Sequence, residues 1–226
     1  MGNLDRKMSG GYPQGKGILI VGEPGSGKTI LGIHAIHKAC TDGKKCLIIA
    51  TEETPEDIIN QGEMLGFDLT SYIDNEQLNI VRTLELRTIN VNKSAKIEPG
   101  FTIEVPDLND LVHLVSDDVE VVVIDNIGVF SLGLSIKQFR DKFDTLNHLL
   151  SNQKCTTLFI MDKTAYELSH QIAEYCTYGS ILLMKKENPY TGKMERYMNI
   201  SKMRSTNISL DLMTFDITSE GIKLFG

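Results

Sequence analysis

The sequence predicts an α/β fold, with a mainly parallel central sheet, helices on both of its faces and a C-terminal β-hairpin extension. Three observations carry that expectation. Short runs of uninterrupted apolar residues recur along the chain, amphipathic segments with helix-capping signatures lie between them, and beyond residue 180 the alternation gives way to consecutive strand-like stretches. A strand that is apolar at every position, instead of every second one, is covered on both faces. Strands alternating with helices build parallel sheets.

In chain order, the apolar runs place strands at Ile18–Val21, Cys46–Ala50, Leu78–Val81, Val119–Ile124, Thr157–Met161 and Ser180–Met184. Helix signals fall between them. Thr54-Pro55-Glu56-Asp57 supplies an N-cap, a proline at the first helical position and an acid three residues after the cap, with Gly66 as the stop. Ser135 with Gln138 forms a second capping box, followed by Ile136, Phe139, Phe143, Leu146 and Leu150 along one helical face. Thr164 with Glu167 forms a third. The segments 180–186 and 195–203 flank Asn188-Pro189-Tyr190-Thr191-Gly192, which reads as a hairpin turn, and an extended pair near 212–217 and 221–225 closes the chain. Residues 84–106 are polar and aperiodic, either a loop over a site or an irregular insertion.

Composition narrows the function. The 226 residues are 41% hydrophobic and 23% charged, unlike a disordered or fibrous chain and sufficient for one large core in a single domain, 1–226. With 23 basic and 30 acidic residues the net charge is −7, which disfavours a surface coated for nucleic acid or anionic lipid. The apolar runs are far shorter than the roughly 20 residues that cross a bilayer. Met1-Gly2-Asn3-Leu4-Asp5 opens no signal-peptide pattern, so a cytoplasmic protein is expected, with no membrane partner. Cys40, Cys46, Cys155 and Cys176 have no CxxC spacing and sit among apolar neighbours, the pattern of reduced core thiols. His34 and His37 lie on one predicted helix, but no nearby acid or cysteine completes a metal set.

The strongest motif is Gly22-Glu23-Pro24-Gly25-Ser26-Gly27-Lys28-Thr29, a full match to the phosphate-binding loop pattern G-x-x-x-x-G-K-[ST], set between a predicted strand and a predicted helix. Glycines let several backbone N–H groups turn inward toward phosphate oxygens, and the helix N-terminus adds partial positive charge. Residues Gly22 to Ile30 are therefore the expected nucleotide-binding set. Lys28 is expected to reach the β- and γ-phosphates, and the Thr29 hydroxyl to ligate Mg²⁺. Asp125, at the carboxyl end of the predicted strand Val119–Ile124, is expected to hold the same ion. Glu52 and Glu53 follow the strand Cys46–Ala50 and place two carboxylates at a neighbouring strand tip. Hydrolysis needs a group that orients water and accepts its proton, and adjacent acids near a polyphosphate raise each other's pKa. Both are assigned to catalysis; their alternative role, favouring the following helix N-terminus, falls more naturally to Glu56 and Asp57.

At this point the chain resembles the KaiC-like branch of the RecA-type P-loop ATPases, nearly from end to end. The resemblance rests on Asn3-Leu4-Asp5 with Gly10-Gly11-Tyr12-Pro13-Gln14-Gly15, on Thr51-Glu52-Glu53-Thr54-Pro55-Glu56 with Leu65-Gly66-Phe67-Asp68, and on Val122-Val123-Ile124-Asp125. Gly179 with Ile181-Leu182-Leu183, Lys202-Met203-Arg204 and Phe215-Asp216-Ile217-Thr218 with Gly221-Ile222 complete it. It implies a RecA-like fold, ATP as the nucleotide and Mg²⁺ as its ion. It also implies a homo-oligomer, usually a hexameric ring, with ATP held between protomers. Lys202 and Arg204 would then reach across to the neighbour's γ-phosphate, a role suited to a guanidinium. The chain departs from the family at Ser205, where relatives often carry glycine, at Ile208, where a histidine often follows, and at Tyr178, which replaces an acid. It has one ATPase domain, so a circadian-clock role does not carry over. The leading expectation is an ATP-hydrolysing oligomeric switch acting on a protein client. Two alternatives stand beside it: a non-hydrolysing ATP-binding scaffold like the companion of the archaeal motility motor, and a RecA/RadA paralogue that binds DNA through Lys185, Lys186, Lys193, Arg196, Lys202 and Arg204.

Overall fold

Every run of apolar residues that fills a strand from end to end is divided between two cores, and this division explains the sequence pattern. The computed structural model describes residues 2–8, 10–83, 107–163, 167–209 and 211–225. Ile18 and Ile20 of the first strand pack into one core together with Leu31, Ile33 and Ile36, whereas Leu19 and Val21 pack into the other with Phe139, Phe143 and Leu146. Ile48 and Val123 join the first set, and Leu47, Ile49, Val122 and Ile124 the second. Successive strand side chains point to opposite faces, so burial on both requires apolar residues throughout.

Among the described residues nine strands form one sheet: β1 (Gly17–Gly22), β2 (Cys46–Ala50), β3 (Leu78–Arg82), β4 (Val121–Asp125), β5 (Thr156–Asp162), β6 (Gly179–Glu187), β7 (Met194–Met203), β8 (Met213–Thr218) and β9 (Gly221–Phe225). Their order is β3-β2-β4-β5-β1-β6-β7-β8-β9. The six strands from β3 to β6 in that order pair in parallel, and β6 to β9 pair antiparallel. The mainly parallel sheet with its antiparallel C-terminal extension is thus present. Expected strand ends hold to within a residue or two except at β6, which runs three residues past Met184 to Glu187; β4 begins at Val121 because Glu120 and Val121 both turn their N–H groups to Lys45 O.

The helices are α1 (Gly2–Lys7), α2 (Lys28–Thr41), α3 (Pro55–Met64), α4 (Leu69–Asp74), α5 (Ile136–Asn152) and α6 (Glu167–Cys176). Both tested capping boxes are in place. Thr54 accepts from Asp57 N at the start of α3, and Ser135 from Gln138 N at the start of α5, each reciprocated by the third-residue side chain. Phe139, Phe143, Leu146 and Leu150 form the buried stripe of α5, but Ile136 stays exposed at its first turn. The expected Thr164 cap and the 84–106 segment lie outside the described residues. The hairpin turn between β6 and β7 is held by Asn188, whose side-chain oxygen accepts from the N–H groups of Tyr190 and Thr191. Cys40, Cys46 and Cys155 are buried thiols, as expected, while Cys176 is only partly buried at the end of α6. Among the described residues no helix is long and apolar enough to cross a membrane.

Candidate functional site

The carboxyl ends of β2, β4, β5 and β1 lie side by side along one edge of the sheet. Ala50 stands opposite Asp125, Asp125 opposite Ile160, and Gly22 opposite Asp162. Open α/β sheets bind their ligands at this edge. The residues that follow each strand therefore meet there whatever their separation in sequence.

β1 runs into the glycine-rich loop at Gly22. A Cβ on Gly22 would lie 2.4 Å from Ser26 Oγ and 2.7 Å from Leu183 O, so the loop folds back on the strand only with glycine there. Ser26 fills that space, wholly buried, its hydroxyl without a partner. Gly27 takes φ +99°, the left-handed region, and leads into α2 without a side chain capping the helix. That leaves the first-turn N–H groups and the positive end of the helix dipole facing the loop, a ready site for phosphate. Glu23, Pro24 and Gly25 form the exposed outer side of the loop. Ile30 packs its side chain against the core, so its contribution to the loop is its backbone N–H alone.

Lys28 is 9% exposed and donates three hydrogen bonds, to Gly22 O at 3.1 Å, Glu23 O at 3.0 Å and Asp162 Oδ1 at 2.6 Å. Thr29 Oγ1 donates to Asp125 Oδ2 at 2.6 Å. Burial raises the Asp125 carboxyl to about 6, the Thr29 hydrogen bond opposes that rise, and the charges of Glu53 and Glu52 add to it. The Thr29 hydroxyl and the Asp125 carboxylate are hard oxygen donors brought to one point. Among the described residues no cluster of three or more His, Cys, Asp or Glu side chains could hold a metal by itself. Mg²⁺ is suited to such a pair, because it takes one or two protein oxygens and completes its shell with substrate phosphates and water.

Thr51 ties the tip of β2 to that of β4. Its N–H donates to Asp125 O at 2.7 Å, its hydroxyl accepts from Asn126 N at 2.8 Å, and the same hydroxyl contacts Asn126 O at 3.2 Å. Glu52 and Glu53 follow. With Thr29 and Asp125 they line a cleft floored by Ile33, Ile48, Ile58 and Val123. Glu53 accepts from Gln61 Nε2 of α3 at 2.7 Å, whereas Glu52 stands at the solvent-facing mouth. The surrounding protein and the negative charge of Asp162 push the Glu52 carboxyl upward; Lys28 pulls it down and Glu53 adds a smaller rise.

Lys202 and Arg204 are not part of this assembly within one chain. Lys202 stands opposite Ser180, near the start of β6 and at the other edge of the sheet. Its ammonium donates to the carbonyl oxygens of Glu174 and, at 3.4 Å, Tyr175, while Arg204 Nη2 donates to Tyr175 O at 3.0 Å. Both cations thus rest on the C-terminal end of α6, the negative end of its dipole. Burial and the charge of Arg204 lower the Lys202 pKa.

Three residues beside the loop were not assigned to it from the sequence: Asp162, Asn126 and Lys185, the last named only as a candidate DNA contact. Asp162 ends an apolar run as Asp125 does, and the same rule would have marked it. Asn126 is buried, donates to Asp162 Oδ2 at 3.2 Å and accepts from Gly128 N at 2.8 Å. Lys185 of β6 donates to Pro24 O at 2.9 Å and so braces the outer loop; only the strand order, with β6 beside β1, could have placed it there. Of the other bases in that region, Arg196 pairs with Asp216 at 3.3 Å.

Comparisons with known proteins bear on the family and the fold. The family model described as "ATPase: KaiC" matches residues 1–226. A UPF0273 protein of Saccharolobus solfataricus is 28% identical over 97% of this chain and 79% of its own length. The circadian clock protein KaiC2 of Synechocystis is 28% identical over 98% of this chain, which spans 37% of that longer protein. A crystal structure of a KaiC-like protein from the hyperthermophilic archaeon Pyrococcus horikoshii superposes with a TM-score of 0.78 at 25% identity, covering 98% of this chain and 94% of that one. A phosphate-binding loop at the tip of β1, facing an acid at the tip of β4 in a RecA-like sheet, and a family match running from the first residue to the last place this chain in the KaiC family of ATPases.

Proposed function

We infer that the chain binds Mg-ATP in the Gly22–Ile30 cradle and hydrolyses it, as an oligomeric nucleotide switch with its nucleotide between protomers. The observation that carries this reading is the meeting of Lys28, Thr29 and Asp125 with the Glu52–Glu53 pair at one sheet edge. Lys28 and the first turn of α2 would hold the phosphates. Thr29 and Asp125 would hold Mg²⁺, which neutralises charge on the transferring phosphoryl group when bound. Glu52, with its carboxyl raised and open to solvent, is placed to orient a water and take its proton; Glu53, anchored by Gln61, shapes that position. A pure binder has no need of this pair. Lys202 and Arg204 of a neighbouring protomer would supply the remaining positive charge, which makes a head-to-tail homo-oligomer part of the reading. Its domain unit is the whole chain, 1–226, its setting the cytoplasm, and its output the state of the protomer interface offered to a protein client.

The DNA-binding reading is the weaker one: of its six bases, Lys185 braces the glycine-rich loop and Arg196 pairs with Asp216, which leaves a reduced cluster on a chain of net charge −7. The decisive experiment pairs two variants. Lys28→Ala should lose nucleotide binding, and Glu52→Gln combined with Glu53→Gln should keep binding and lose phosphate release. Undiminished hydrolysis in the double variant would refute the catalytic assignment.

A further inference from the structure

A carboxylate stands where an anion is to be bound. Asp162 lies opposite Gly22 in the β1–β5 register, so the sheet itself fixes it beside the first residue of the glycine-rich loop. Lys163 N donates to Gly22 O at 3.1 Å and fastens the two strand ends together. Behind it, Asn126 is 1% exposed and locked by Gly128, and it holds Asp162 Oδ2 at 3.2 Å. The other oxygen takes Lys28 at 2.6 Å, in an ion pair whose side chains are 9% and 19% exposed. This is a built contact between rigid elements.

An ammonium has three protons to donate. Lys28 spends them on Gly22 O, Glu23 O and Asp162 Oδ1, so a phosphate oxygen gains this lysine only by displacing one of the three. The two carbonyls belong to the loop that wraps the ligand. Asp162 is the anionic partner, and exchanging it for phosphate is a charge-for-charge substitution. We propose that Asp162 is a positioning residue that competes with the nucleotide for Lys28: it holds the ammonium against the incoming phosphate and takes it back as the phosphate leaves. The exchange has a cost beyond the lost pair, because the negative charge of Asp162, which already acts on Glu52, is then left without its cation. Asp162 therefore weakens nucleotide binding and speeds release, a useful setting for a switch that must reset. This rests on the reading of the cradle as a nucleoside polyphosphate site.

The test uses the full chain with Asp162→Asn, which keeps the shape, the Asn126 contact region and one acceptor oxygen while removing the charge. Affinities for Mg-ADP and Mg-ATP are measured by titration calorimetry, and release of a fluorescent ADP by stopped flow. A charge-assisted pair sheltered from water is strong enough that its loss should tighten both nucleotides by roughly tenfold and slow ADP release in proportion. KM for ATP should fall while kcat does not rise. Damage to the fold would weaken binding, so this gain separates competition from a structural role; Asp162→Ser gives the same readout should the asparagine chain fail to fold. Unchanged or weaker affinity would overturn the proposal, as would loss of turnover at unchanged affinity, which would move Asp162 to the chemistry itself. Lys28→Ala run alongside separates the two levels. If it retains nucleotide binding, the cradle reading fails; if it loses binding while Asp162→Asn changes nothing, only the competition fails.

Discussion

Arg204 cannot serve the phosphate loop of its own chain, and that geometry gives a quantitative prediction. Arg204 N donates to Tyr178 O, and Tyr178 N donates to Gly17 O, which sets Arg204 at the level of Gly17, the first residue of β1. Gly22, where the loop begins, lies five strand residues further on, about 16 Å at ~3.3 Å per residue. Arg204 also follows β7, two strand spacings from β1, which adds roughly 10 Å sideways. The separation is far longer than an arginine side chain. Arg204→Ala and Lys28→Ala chains should each be inactive alone, yet a mixture should recover activity. On the proposed reading a working site takes Lys28 from one protomer and Arg204 from the next. In a random equal mixture each requirement is met half the time, so about one quarter of sites in a closed ring are competent. Phosphate release should return to about a quarter of the wild-type value per site, with the mass in solution confirming that mixed assemblies form. Mixed assemblies with no recovered activity would refute the trans assignment, as would full activity of Arg204→Ala alone.

Other predictions follow from individual contacts. His34 accepts a hydrogen bond from Ile222 N at 3.0 Å on its Nδ1, and burial lowers its pKa to about 4. The unfolded chain takes up that proton near pH 6.5 and the folded chain does not. The contribution to stability is therefore complete above pH 6.5 and is lost as pH falls toward 4, by roughly 2 kcal/mol at pH 5. His34→Asn places a carbonyl oxygen where Nδ1 accepted, so urea denaturation should show its stability relative to wild type improving by that amount between pH 8 and pH 5; a constant difference would refute the assignment. Ser205 has φ +52°, left-handed for a residue with a Cβ, in the turn after β7. Ser205→Gly should leave the melting temperature unchanged or raise it, by no more than about 1 kcal/mol of stability, whereas Ser205→Val should lower it. Single-stranded DNA should bind weakly and lose affinity steeply with salt; tight, salt-resistant binding would revive the nucleic-acid reading.

What the sequence made legible was whatever depends on local order. The P-loop, Asp125 and the Glu52–Glu53 pair were each found because a short apolar run ends and chemistry begins immediately after it. The two capping boxes were found because their partners are three residues apart. Two short helices, α1 and α4, were not anticipated, since each has six residues and too few positions to show a helical period. Asp162 ends such a run too and the same rule reaches its position, but not its contact. Its partner Lys28 lies 134 positions away, and the contact exists only because β5 pairs with β1. The same holds for Lys185 and Pro24, which are 161 positions apart. Ser205 joins these cases: its left-handed backbone, φ +52°, is set by the turn after β7 and by nothing in its sequence neighbours.

Strand order also bears on what the proposed site would need to import. Placing β2, β4, β5 and β1 in sequence along one edge gathers Glu52, Glu53 and Asp125 around one cleft and sets the Lys28–Asp162 pair at the neighbouring strand tips. The crowding acts on the protein's own groups: burial raises Asp125 to about 6 and raises Glu52 as well, and the neighbouring acids add to both. A triphosphate adds more charge of the same sign. Lys28 alone cannot offset both, and Lys185 is occupied on the outer side of the loop. On the proposed reading the balance would come from a divalent cation on Thr29 and Asp125 and from cations that a neighbouring chain keeps at its opposite edge. Lys202 and Arg204 sit there with nothing more demanding to hold than the carbonyl oxygens at the end of α6. Carbonyls are weaker partners for a guanidinium than phosphate is. A neighbour's phosphate would therefore draw Arg204 off α6 readily, and the acid-rich cleft gives the electrostatic reason why nucleotide and assembly should be coupled.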